Sequence, residues 1–238
     1  MKLSSRLKTL ADLIEKYRKG EILADIGSDH AYLPCFLVGK GVVSKAYACD
    51  ITPGPVKSAL ETVAYYHLED RIEVLMGDGL EPILDKKVDM IAIAGMGSYL
   101  ISDILEENKN YLKHVKMLFL QPNANIDHLR MYLYENNYLI VDEAIVRDGN
   151  HIYEMVVAML DETECVCDIK GLVDMRSIEF GPILSKVQSP LFVEKWNRQY
   201  RLYNEVVKAI EKTNPRYEEL VAKIRMIEEV LDENLDNR

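Results

Sequence analysis

A chain of 238 residues with 48% hydrophobic side chains has the apolar mass for one full α/β domain and a smaller companion. Its net charge of −10 excludes a surface that is basic overall, and no stretch reaches the roughly 18–20 uncharged apolar residues of a membrane span. The four cysteines (Cys35, Cys49, Cys165, Cys167) form no C-x-x-C pair and have no histidine at zinc spacing, so reduced thiols and no metal site are expected.

The chain opens with Leu3, Leu7, Leu10, Ala11 and Ile14 at helical spacing, with Ser4 placed to cap. Charges interrupt the apolar run, so this is no signal peptide and a cytoplasmic protein is expected. Residues 1–20 carry six Lys/Arg against two Asp/Glu; residues 185–227 carry nine against five. The acid excess lies mostly between them. Since phosphate affinity follows local charge, the basic segments keep a nucleic-acid partner open, beside the plainer alternative of solvated helix faces.

A strand–loop–helix rhythm follows. Strands are predicted at 21–27, 45–50, 72–78, 88–95 and 115–121, each an apolar run as buried parallel strands require. Helices are predicted between them at 31–41, 54–68, 98–109 and 124–136, with Pro34 confined to a first turn. This alternation specifies a doubly wound parallel sheet. At 138–160 it stops: two β-rich runs meet at Arg-Asp-Gly-Asn, a hairpin signal. Beyond 160 no strand is predicted. Trp196, Tyr200, Tyr203, Val207 and Ile210, then Tyr217, Leu220, Ile224, Ile227 and Leu231, repeat at spacings of 3 and 4. Asn214 and Pro215 between them suit an N-cap and a first helical residue. An antiparallel coiled-coil hairpin is expected, each arm about 30 Å long.

The carboxyl ends of parallel strands form the ligand crevice of such a sheet. Asp25-Ile26-Gly27-Ser28-Asp29-His30 closes the first strand, where Gly27 permits a tight turn and Asp25 is placed to order the loop. Asp50, followed by Ile51, closes the second; a carboxylate there accepts ribose hydroxyls. Asp78-Gly79-Leu80 closes the third, where Asp78 is placed to accept from an adenine amino group. Ala94-Gly95-Met96 closes the fourth, and its glycine leaves room for an extruded base. The G-x-G-x-x-G fingerprint is missing, and an acidic first loop repels a pyrophosphate, so a dehydrogenase is disfavoured. Ser28-Asp29-His30 has the letters of a hydrolase triad, yet three adjacent loop residues rarely converge, and no G-x-S-x-G elbow exists. An acidic loop, a ribose-binding acid and a closing hairpin point to a class I Rossmann-like methyltransferase with S-adenosylmethionine (SAM). Residues 1–160 are then the SAM domain and 161–238 a C-terminal helical coiled-coil domain. The Asp/Asn-Pro-Pro-aromatic motif of adenine amino methylases is absent after the fourth strand. Substrate class stays open on these grounds: RNA, another methyl acceptor, or a non-catalytic RNA-binding protein that keeps the fold.

ADIGSDHAYLP (24–34), the I-T-x-G-P after Asp50, GDGL (77–80), IAGMG (93–97), LQPN (120–123), GPxL (181–184) and EKW (194–196) together resemble the bacterial tRNA (adenine-22-N1)-methyltransferases. The resemblance runs from LSSRL (3–7) to the coiled coil. It departs at Asp50, where the family often has Glu, and at Ser98, where it often has Gly. It implies SAM as cofactor, tRNA as partner and N1 of an adenine as methyl acceptor. Asp25, Gly27, Ser28, Asp29, His30, Asp50, Ile51, Asp78, Gly79, Leu80, Ala94, Gly95 and Met96 become the expected cofactor contacts. Asp29 is the candidate catalytic group, against a purely structural or cofactor role. Arg6, Lys8, Lys16, Arg18 and Asn123 are the expected RNA contacts. A monomer, free of metal and membrane, is expected.

Overall fold

In the computed structural model the chain divides into two compact units, Met1–Leu172 and Val173–Arg238. The structure describes residues 1–161 and 174–232. The expectation for Cys165 and Cys167 lies outside the described residues.

Among the described residues, seven strands build the first unit: β1 (Ile22–Ile26), β2 (Lys45–Asp50), β3 (Ile72–Met76), β4 (Met90–Met96), β5 (Met117–Pro122), β6 (Tyr138–Asp148) and β7 (His151–Leu160). Their order is β3-β2-β1-β4-β5-β7-β6. β1 to β5 run parallel; β7 is antiparallel to β5 and β6 to β7. The chain reverses at Gly149-Asn150, where Asp148 pairs with His151 and Gly149 adopts φ +58°. Glycine takes that conformation more readily than any other residue, which is why Asp-Gly signalled the turn.

Helices cover both faces. α1 (Ser5–Tyr17), α2 (Tyr32–Gly39) and α3 (Pro53–Tyr65) pack one core with Leu23, Ala92, Phe119 and Val157. α4 (Ser98–Glu107), α5 (Lys109–Leu112) and α6 (Ile126–Glu135) pack the other with Ala24, Ile91, Ile93 and Leu120. Neighbours in one strand thus serve opposite cores, as the pleat dictates. Ser4 caps α1, its hydroxyl accepting from the Leu7 amide at 3.3 Å. Pro34 is the third residue of α2, inside its first turn. The helix predicted over 98–109 divides at Asn108 into α4 and α5.

The second unit holds α7 (Met175–Phe180), α8 (Leu184–Val187), α9 (Pro190–Ala209) and α10 (Arg216–Asp232). α9 and α10 pack on one another, with Tyr200 Oη donating to Glu228 at 2.8 Å. Asn214 Oδ1 accepts from the Arg216 amide at 3.0 Å and so caps α10. Trp196 meets the Phe180 ring edge-on at 4.4 Å. In α10 Val230 is buried where the spacing pointed to Leu231, which is half-buried. Among the described residues no helix is long and apolar enough to cross a membrane.

Candidate active site

The carboxyl ends of β1, β2 and β3 are tied together through one residue. Asp50 ends β2. Its Oδ1 accepts from the Thr52 amide and hydroxyl, both at 3.2 Å, and its Oδ2 accepts from the Asp29 amide at 3.2 Å. Its backbone carbonyl accepts from the Gly77 amide at 3.1 Å. The Gly27 and Ser28 amides both donate to the Cys49 carbonyl at 2.9 Å. The loops after β1 and β3 are therefore hung from the end of β2.

The β1 loop is tight. Gly27 has φ +73°, and a Cβ there would lie 2.2 Å from Met96 Cε. Asp29 and Ala31 also take positive φ, +52° and +55°. For residues other than glycine this conformation costs of order 1–3 kcal/mol and concentrates at functional sites. Ser28 Oγ donates to Asp25 at 2.6 Å. Asp25 is buried, and that burial pushes its carboxyl up to about 7, against the pull of the Ser28 bond and the Arg6 charge. Asp29 is exposed, with His30 Nε2 3.6 Å from its carboxylate and the His30 ring stacked on Tyr32 at 5.2 Å. Ile51 and Asp78 are exposed at the same edge; Gly79 has φ +49° and Leu80 is fully buried behind it.

At the end of β4 the strand bulges at Gly95, φ +81°. The Gly95 amide donates to Gln121 Oε1 at 3.2 Å, Asn123 Nδ2 donates to the Gly95 carbonyl at 2.7 Å, and the Asn123 amide donates to the Met96 carbonyl at 2.8 Å. Ala94 and Met96 flank the bulge. Ser98 follows as the first residue of α4, buried rather than at the open edge.

The edge thus gathers Asp25, Gly27, Ser28, Asp29, His30, Asp50, Ile51, Asp78, Gly79, Ala94, Gly95 and Met96 of the expected cofactor residues, while Leu80 lies fully buried in the core behind it. It does not gather the expected RNA contacts. α1 runs against the strands, so its basic residues are spread along it. Arg6 points inward to Gln121. Lys8 pairs with Asp12 one turn on. Lys16 pairs with Asp142 at 2.9 Å, and Arg18 Nη1 donates to the Val42 carbonyl, before β2 and so at the opposite edge. Asn123 alone of the remainder sits at the crevice.

Three features escaped the sequence. Gln121, within LQPN, is fully buried and links β4 to β5. Tyr99, 59% exposed at the start of α4, lies 4.0 Å ring to ring from His128 of α6. An aromatic directly behind a glycine-rich strand end was the available signal. Arg130 of α6 is fully buried between Glu143 at 2.7 Å and Glu154 at 3.0 Å.

The chain is similar to known proteins over nearly its whole length. The family model described as "TrmK: tRNA (adenine(22)-N(1))-methyltransferase" matches residues 23–229. The tRNA (adenine(22)-N(1))-methyltransferase of Bacillus subtilis (strain 168) is 37% identical over 238 residues, 98% of either chain. A Streptococcus pneumoniae structure in complex with S-adenosyl-L-methionine is 36% identical, with TM-score 0.84 over 95% of this chain and 98% of that one. The structure of M. capricolum TrmK in complex with S-adenosyl-homocysteine is 28% identical, with TM-score 0.83 over 97% and 98%.

Proposed function

The chain belongs to the tRNA (adenine(22)-N(1))-methyltransferase family, and from that premise we propose how its site works. It is an enzyme that transfers a methyl group from SAM to N1 of an adenine in tRNA, with adenine 22 the position its family name carries. One observation carries the assignment of the site: the loops after β1 and β3 both hydrogen-bond to Asp50, so three strand ends form one cradle.

The residues present fit the cofactor. Asp50 would accept the ribose hydroxyls, Ile51 would flank the purine, and Asp78 would receive its amino group, while the fully buried Leu80 backs this edge from the core. Gly27 makes room for the Met96 methyl, which lies where a Cβ would stand. Asp25, Ser28 and His30 shape the loop that meets the amino-acid tail, and Ala94, Gly95 and Met96 close the far side. When bound, SAM supplies an electrophilic methyl on a sulfonium.

N1 of adenine has an in-plane lone pair, so no base is needed to make it nucleophilic, and alignment dominates the rate. Methylation leaves the base cationic. Asp29, exposed at the edge in a strained backbone, stabilises that developing charge or takes a proton from the neighbouring amino group. N1 lies on the Watson–Crick edge, so the base leaves its stack before it reacts. Tyr99 and His128 offer an aromatic surface beside the crevice to receive it. Asn123 meets the base or its neighbours at the same edge. Lys8 and Lys16 on the outer side of α1, with Arg18 beyond, attract phosphates, as does the basic stretch 185–227. The Lys8–Asp12 pair, exposed on both sides, is weak enough in water for a phosphate to displace. We place the reaction in the cytoplasm, with one chain carrying the whole site.

The Asp29 role is tested by Asp29→Asn, which tolerates positive φ and keeps the backbone amide on Asp50. The expected result is a single-turnover rate at least tenfold lower with SAM affinity within threefold of wild type. Lost SAM binding with an unchanged rate removes Asp29 from the chemistry.

A further inference from the structure

Arg6 is the residue whose place in the structure departs furthest from its place in the sequence. On the sequence it is one cation among six in a basic segment. In the fold its Nη1 donates to Gln121 Oε1 at 2.5 Å, and its guanidinium carbon lies 5.6 Å from the centre of the Tyr153 ring. Its backbone amide donates to Asp148 at 3.3 Å. α1 packs over β5, β6 and β7, and this brings its first turn to the carboxyl edge.

Gln121 is fully buried, and its amide is fully used. Oε1 accepts from Arg6 and from the Gly95 amide, while Nε2 donates to the Pro122 carbonyl at 2.8 Å and to Asn123 Oδ1 at 3.4 Å. Two acceptor and two donor bonds exhaust what a glutamine amide offers. Asn123 in turn donates to the Gly95 carbonyl. The bulge of β4 and the end of β5 are thus joined by a closed ring of bonds, and the charge-assisted one comes from Arg6. The fit is mutual: a Cβ on Gly95 would lie 3.3 Å from Arg6 Nη1.

We propose that Arg6 is a positioning residue of the active site: through Gln121 it fixes the Gly95 bulge and the Asn123 amide where the substrate base enters. This deepens the methyltransferase reading above and rests on it. Without Arg6, Gln121 Oε1 loses its strongest donor inside a buried site, its amide is free to turn, and the bonds that aim Gly95 and Asn123 loosen. The Arg6 charge also opposes the cost of burying Asp25. A phosphate-gripping arginine has a different signature. Removing one weakens tRNA binding and lowers the salt slope by about 0.7–0.9 for each phosphate no longer neutralised, while turnover of bound tRNA stays the same.

The test compares the full-length wild type with Arg6→Gln, using SAM, an unmodified tRNA transcript and four measurements: SAM affinity, tRNA affinity at several salt concentrations, single-turnover rate at saturating tRNA, and amide exchange at Gly95. The proposal expects a rate at least tenfold lower, both affinities within threefold, an unchanged salt slope, and faster exchange at Gly95. Weaker tRNA binding with a reduced salt slope and an unchanged rate overturns it in favour of a phosphate-binding role. No change in rate and exchange overturns it as well. If Arg6→Gln melts below the assay temperature, Gln121→Met removes the same link from the other side, is read by the same measurements and carries the same expectations. A wild type that methylates no tRNA defeats the methyltransferase reading instead, and the Gly95 exchange still decides whether Arg6 holds the bulge.

Discussion

Two groups of carboxylates occupy the same sheet and are held in opposite ways. Beneath α6, Glu143 and Glu154 close on Arg130, with all three side chains buried. At the carboxyl edge, Asp25 and Asp50 are held by a hydroxyl and by loop amides. A carboxylate matched to a buried guanidinium is committed to the fold. One held by dipoles at an open edge keeps acceptor capacity for a ligand. Burial alone therefore does not mark the functional acids; the kind of partner does.

The sharpest way to break this comparison is Arg130→Met. It leaves two carboxylates buried without their cation, which costs roughly 3–5 kcal/mol. For a chain of this size that is a fall in melting temperature of roughly 10 °C. SAM affinity of the folded fraction is expected to stay at the wild-type level. A fall of under 3 °C in a calorimetric scan makes the ion triad dispensable.

Next is the pH dependence of Asp25. Its carboxyl in the fold sits at about 7, above its ordinary value of 3.8. The folded state then binds more protons than the unfolded chain between about pH 4 and pH 7. Stability from this group is complete below pH 4 and is lost as pH rises through 7. Asp25→Asn is expected to be more stable relative to wild type at pH 8 than at pH 4, by roughly 3–4 kcal/mol. Equal differences at the two pH values, measured by denaturant unfolding, contradict a raised carboxyl.

The smallest stability effect belongs to Asp50→Ala, whose cost falls on the ligand. Losing charged hydrogen bonds to a ribose weakens SAM binding roughly 10- to 100-fold. Melting of the free enzyme is expected to move by under 3 °C. Calorimetric titration showing wild-type SAM affinity takes Asp50 out of the cofactor site.

Much of this was open to reading because it is local. Parallel strands buried on both faces must be continuous apolar runs, so β1, β2 and β4 declare themselves. Pro34 and Gly149 fixed a helix start and a hairpin through backbone chemistry alone. The acids at three successive strand ends followed from the topology. What stayed hidden depends on distant pairs. Arg130 reads as an ordinary surface charge until α6 packs on the hairpin and meets Glu143 and Glu154. Tyr99 and His128 are brought together only where the ends of β4 and β5 lie side by side. Arg6 lies off the Leu3, Leu7, Leu10 stripe, which says that it is not in the apolar core but not that the edge of β5 lies beneath it. The separate surroundings of Arg6, Lys8, Lys16 and Arg18 were hidden for the same reason: helical spacing gives a face, not the direction in which the helix crosses the sheet.

The central claim is tested most directly by incubating the enzyme with SAM and an unmodified tRNA transcript, then mapping reverse-transcription stops. An N1-methyl blocks Watson–Crick pairing. The account predicts one new SAM-dependent stop, at adenine 22. No stop, or a stop elsewhere in the tRNA, contradicts it.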